Sequence, residues 1–133
     1  RTQARIRGFE QRVAKRLGLM GYQVERDHYL DSEGRSFLVV TRKGGLRPER
    51  YCVEARDWHA PVSAPLLAHF ADWLQSPDRC QDGIQEMYVA PAFSGPALAL
   101  AQRRGILAVT PAQLERQLFA FGPYLERIKR QFE

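Results

Sequence analysis

The sequence predicts an α/β domain in which a mixed β-sheet carries helices on both faces. Three observations predict it: an amphipathic helical stripe opens the 133-residue chain, three β-like segments including a hairpin follow, and helical and strand patterns then alternate to the C-terminus. The element order is αβββαβαβα. A chain of this length supports a single core, so residues 1–133 are read as one domain, with no internal repeat, low-complexity tract or linker.

Ile6, Phe9, Val13, Leu17 and Met20 recur at spacings of three and four, which draws one apolar stripe on a helix from Thr2 to about Met20, and Gly21 stops it. Tyr22 to Tyr29 alternates as a short strand, and Asp31, Ser32, Glu33 and Gly34 form a turn. Ser36 to Thr41 is strongly β-forming. The glycine- and proline-rich stretch from Lys43 to Pro48 then leads into a strand at Tyr51–Arg56, which makes a hairpin with a cationic tip.

Ser63 is suited to cap a helix that tolerates Pro65 in its first turn and buries Leu66, Leu67, Phe70, Trp73 and Leu74. Pro77 and Gly83 bracket the loop beyond it. Ile84–Ala90 is the next strand, and Ser94 caps an alanine- and leucine-rich helix closed by Gly105. Ile106–Val109 reads as a short apolar strand of the kind found inside sheets covered on both faces. Thr110-Pro111-Ala112-Gln113 combines a capping box with proline at the first helical position. The helix it opens breaks at Gly122-Pro123, and Leu125, Ile128 and Phe132 mark a last amphipathic segment.

Composition narrows the function. With 44% hydrophobic and 26% charged residues the chain belongs to the ordinary globular class. No apolar run approaches a membrane span, and no apolar block follows the arginine-rich N-terminus, so a membrane association and a signal peptide are excluded and the location is read as cytoplasmic. The start at Arg1, directly followed by a helical pattern, is expected of a domain excised from a longer polypeptide with further fused domains.

The net charge of +5 favours a polyanionic partner. Cations crowd the first helix (Arg12, Lys15, Arg16), the hairpin (Arg42, Lys43, Arg47) and the C-terminus; a charge run in isolation is more often a solvated surface. Cys52 and Cys80, the 2 cysteines, are expected to be free thiols, Cys52 facing the core. His28, His59 and His69 have no ligand spacing, so zinc has little support.

The most informative stretch runs from Arg50 to Trp58. Alternation places Glu54 and Arg56 on one face of a strand, with Val53 and Ala55 on the other. A carboxylate and a cation thus stand two residues apart on one strand face.

Taken in order, these residues resemble the Mrr-like type IV restriction endonucleases, a branch of the PD-(D/E)XK nuclease superfamily. Phe9-Glu10, Val13-Ala14, Leu17, Gly21-Tyr22 and Val24 look like the family's opening helix and strand. Tyr51 to Arg56 looks like its motif strand, and Ser94-Gly95-Pro96-Ala97, Ala101, Gly105-Ile106 and Leu114 look like its closing helix, strand and helix. The similarity covers roughly residues 6 to 121, and its order is more specific than any one piece. It implies a restriction endonuclease-like fold, DNA as partner and magnesium as cofactor if the site is active, with Glu54, Arg56 and Glu10 as site residues and Glu54 as the metal ligand.

Two departures weaken the enzyme reading. The family's metal-binding aspartate falls on Phe37, or on Ser36 in a register shifted by one, and neither supplies a charged oxygen. Arg56 replaces a lysine; its guanidinium clamps phosphate but does not exchange a proton. Glu10 is either a helical glutamate near the metal or a surface residue. Asp31 and Glu33 are turn formers or migrated ligands. Glu54 and Arg56 are either a relict buried ion pair or a phosphate site.

Three functions compete: a DNA-binding nuclease-fold domain with lost or weakened hydrolysis and no cofactor; an active magnesium-dependent endonuclease with a rearranged site built from Glu54, Glu10 and Asp31 or Glu33; and a regulatory domain that forms homo-oligomers within a larger protein.

Overall fold

The N-terminal stripe becomes α1, Thr2–Leu19, and Gly21, at φ 94°, takes the left-handed conformation that ends it. The computed structural model describes residues 2–25, 37–43, 49–74 and 84–117. Within them follow β1 (Gln23–Glu25), β2 (Leu38–Arg42), β3 (Glu49–Ala55), α2 (Ala64–Leu74), β4 (Gln85–Val89), α3 (Gly95–Arg104) and β5 (Leu107–Val109), then a helical segment, α4, over 111–117. This is the predicted order.

The caps read from sequence are present. The Leu66 amide donates to Ser63 Oγ at 3.3 Å, and the Ala97 amide to Ser94 Oγ at 3.1 Å. At α4 the capping box is reciprocal: the Gln113 amide donates to Thr110 Oγ1 at 3.2 Å, and Gln113 Oε1 accepts from the Thr110 amide at 2.8 Å. Gly105, at φ 70°, terminates α3.

The five strands form one sheet in the order β1-β2-β3-β4-β5. β1, β2 and β3 are antiparallel neighbours, whereas β3, β4 and β5 run parallel through the α2 and α3 crossovers. Strand alternation divides the core into two layers. Leu38, Val40, Val53, Ala55, Met87, Val89 and Val109 meet Phe9, Val13, Leu17 and Met20 of α1 and Leu114 of α4. Val39, Cys52 and Tyr88 face Leu67, Phe70, Ala71 and Leu74 of α2 and Ala97 and Ala101 of α3. Burying a side chain such as Val13 or Leu17 stabilises the fold by about 1.5–3 kcal/mol, so these stripes hold the helices to both faces.

Two expectations shift. β3 begins at Glu49 because its antiparallel ladder with β2 continues to Arg42↔Glu49, and it ends at Ala55, leaving Arg56 one residue beyond. Among the described strands β5 lies at the edge of the sheet rather than inside it, with Leu107 42% exposed. The Asp31–Gly34 turn, the hairpin tip with Arg47, the Pro77–Gly83 loop, His28, Cys80 and everything after residue 117 lie outside the described residues.

Candidate functional site

The site lies at the carboxyl ends of the parallel strands, where open α/β sheets bind ligands. Backbone hydrogen bonds pin the chain that leaves β3: the Arg56 amide donates to Val89 O at 3.0 Å, the Val62 amide to Ala92 O at 2.9 Å, and the Ser94 amide to Val62 O at 2.9 Å. Segment 56–62 is thereby tethered at both ends to the chain that leaves β4.

Glu54 occupies the last turn of the β3 alternation and is 4% exposed. In the parallel register it stands beside Tyr88 of β4, which is fully buried. The Tyr88 hydroxyl donates to the Glu54 carboxylate, and Arg56 Nη2 stands 3.8 Å from Glu54 Oε1. Trp58 Nε1 donates to the Tyr88 hydroxyl at 2.8 Å, and the Arg56 guanidinium lies 5.8 Å from the Trp58 ring. A chain thus runs from the Trp58 indole through Tyr88 to Glu54 and Arg56. Burial, reinforced by the Glu54 charge, pushes the Tyr88 phenol well above its ordinary range, so it remains a donor at neutral pH.

Phe37 completes the surroundings. Extending the Leu38↔Val53 pairing by one residue sets Phe37 opposite Glu54, where the family's aspartate is expected. Its ring is 6% exposed and packs edge-on against Trp73 of α2, centroids 5.0 Å apart, in the layer that holds Val39, Cys52 and Tyr88. Glu10 is 3% exposed, so the surface reading of that residue fails. Its helix, however, packs on the opposite sheet face from the one Glu54 occupies.

These donors do not fit a magnesium ion. A phenyl ring stands opposite Glu54, the Glu54 carboxylate already accepts from Tyr88 and faces Arg56, and no group of three His, Cys, Asp or Glu side chains converges among the described residues. What the arrangement does is hold one buried anion with a neutral donor and a cation.

Of the cations singled out by sequence, Arg12, Lys15 and Lys43 are exposed, Arg12 resting 5.9 Å over the Phe9 ring. Arg16 and Arg42 are committed within the fold. Arg16 Nη2 reaches Glu115 of α4 at 2.5 Å, and Arg42 Nη2 reaches Glu49 at 2.6 Å. His59 and His69 are exposed, and Cys52 is buried in the core. Tyr88 and Trp58 were not singled out for a role by sequence; alternation placed Tyr88 on a strand, but only the parallel register sets it beside Glu54.

Among the described residues, no helix is long and apolar enough to cross a membrane. Comparison with solved structures gives the fold independently. A repair endonuclease from Pyrococcus abyssi superposes with a TM-score of 0.56 at 12% identity, covering 81% of this chain and 46% of that one. The DNA modification-dependent restriction endonuclease AspBHI gives 0.58 at 12% identity, covering 85% and 34%. MspJI restriction endonuclease, solved with a 27-mer oligonucleotide, gives 0.53 at 16% identity, covering 79% and 25%. The chain therefore spans less than half the length of each of these three enzymes. No curated protein matches it. The Mrr_cat model, described as a restriction endonuclease, matches residues 2–118, and the chain belongs to that family.

Proposed function

We propose that this nuclease-fold domain binds DNA through its backbone phosphates and no longer hydrolyses it with a metal ion. The observation that carries the reading is the Phe37 ring opposite a Glu54 whose carboxylate is held by Tyr88 and faces Arg56. A hydrolytic centre needs charged oxygens open to a divalent ion; here one such oxygen pair is buried among its own partners and the other is missing.

The net charge of +5 and the exposed Arg12, Lys15 and Lys43 support a polyanionic partner, as does the similarity to an endonuclease solved with an oligonucleotide. Contacts of this kind favour neither base nor sequence. Arg47 of the hairpin tip joins the same proposal from its place in the sequence. Arg16 and Arg42, tied to Glu115 and Glu49, contribute more to the fold than to a ligand.

The test is duplex DNA binding across a salt series, paired with a cleavage assay in magnesium and in manganese. Affinity should fall steeply with salt, and Lys15→Ala or Lys43→Ala should each reduce the log–log salt slope by about one. Cleavage should be absent. Metal-dependent cleavage that disappears in Glu54→Ala would revive the rearranged enzyme and sink this reading.

A further inference from the structure

We propose that Trp58 is a stacking platform for an unpaired base, so that this end of the sheet takes single-stranded nucleic acid. The inference rests on the nucleic-acid reading above and adds the form of the ligand.

Tryptophan is largely buried in most folds, yet Trp58 is 39% exposed on the segment that follows β3. It is also held. Its one polar atom, Nε1, donates to the Tyr88 hydroxyl at 2.8 Å, and Tyr88 is itself wedged edge-on between Phe70 and Phe93, at centroid distances of 5.1 and 6.1 Å. The anchor beneath the indole is therefore fully buried and hydrogen-bonded onward to Glu54. An exposed ring fixed from below loses little freedom when a flat partner settles on it.

The surroundings select the partner. The Arg56 guanidinium, paired with Glu54 at 3.8 Å, lies over the ring at 5.8 Å from its centroid and adds positive charge beside the phosphates that flank a stacked base. The neighbours His59, Ala60 and Pro61 are exposed, so the ring stands open to solvent. Because Nε1 is occupied by Tyr88, recognition is confined to the π-face, which every base satisfies; no base preference is expected. In a duplex those faces are already stacked on one another. An unpaired base is the occupant that leaves one free.

The decisive measurement is binding of an oligothymidylate and of a blunt duplex of equal length, at low salt, by fluorescence anisotropy and by the intrinsic tryptophan signal. The single strand should quench wild-type fluorescence with the same midpoint as the anisotropy curve. Trp58→Ala should weaken single-strand binding roughly tenfold while changing duplex binding by less than about twofold, and Trp58→Phe should retain part of the affinity. Thermal melting of Trp58→Phe guards against a folding defect.

The proposal falls if Trp58→Ala binds the single strand as wild type does, or if both ligands weaken equally. It also falls if the variant instead converts an oligomer to a monomer, which would make the ring a protein contact. Duplex binding that persists in any of these cases leaves the broader reading standing, whereas no binding of either ligand at low salt removes both.

Discussion

The two ends of strand β3 gather the same three residue types, a glutamate, an arginine and a tyrosine, and they behave differently. At the Glu49 end, the exposed carboxylate accepts from the Tyr22 hydroxyl at 3.1 Å and pairs with Arg42 at 2.6 Å, while the Arg42 guanidinium lies 4.8 Å over the Tyr22 ring. Tyr51 meets Tyr22 edge-on at 6.0 Å. At the Glu54 end, a buried carboxylate accepts from Tyr88 and stands 3.8 Å from Arg56. The shorter ion pair is the one that matters less. Water solvates Glu49 and Arg42 whether or not they meet, so their contact adds little. Inside the fold nothing replaces a lost partner, and each group is retained because the others would be stranded without it. The comparison separates two kinds of carboxylate: Glu49 is an exposed surface anion, whereas Glu54 is a buried one held by Tyr88 and Arg56.

Substitutions at the two ends test this directly. The largest effect is expected for Glu54→Ala, which leaves Arg56 without its buried counter-ion and should cost about 3–5 kcal/mol in urea unfolding. A loss below about 1 kcal/mol would mean that the two ends are equivalent after all. Tyr88→Phe removes the hydroxyl shared by Trp58 and Glu54 and should cost about 1–3 kcal/mol, because a buried acceptor and a donor lose their common partner. Glu49→Ala should cost less than about 1 kcal/mol, and raising the salt should shrink even that.

The pH response separates the ends further. Burial pushes the Tyr22 phenol up from 10.0 to about 12, Arg42 opposing and Glu49 reinforcing the shift. A group whose folded pKa is raised keeps its proton in the native state after the unfolded chain has lost it. Its contribution to stability is therefore complete below pH 10 and is lost as pH rises toward 12. Ultraviolet titration of tyrosine in wild type and Tyr22→Phe should assign the transition near 12, and a Tyr22 that titrates at its ordinary value would show that this end is fully wet.

Some of the site was legible before any coordinates. Period-two alternation set Glu54 and Arg56 apart from Val53 and Ala55, and the pairing and core layers bear that division out. The sequence also places a phenyl ring, Phe37, where the resemblance expects an aspartate. Local chemistry likewise predicted the caps at Ser63, Ser94 and Thr110, because a cap is made within three residues of itself. The burial of Glu10 was not legible: the helical pattern gave its helix an apolar stripe, but a glutamate beside that stripe reads as surface until the neighbouring elements are in place.

The same holds for the cations. Arg16 and Glu115 are 99 residues apart in the chain, and no local pattern joins them. Composition alone counts Arg16 and Arg42 as ready for phosphate, whereas the fold has already assigned them carboxylates.

The sequence by itself determined the element order, the helix caps, the two-faced character of β3 and a phenyl ring rather than a carboxylate at Phe37, since each depends on propensity, periodicity or the identity of one side chain. Tertiary structure alone decided that Tyr88 stands beside Glu54, that Trp58 is anchored yet exposed, and that β5 is the outermost of the described strands. The physical reason is register. Parallel strands joined by a helix are aligned by packing across the whole domain, so the partner of a given residue is chosen by the core and not by its neighbours in the chain.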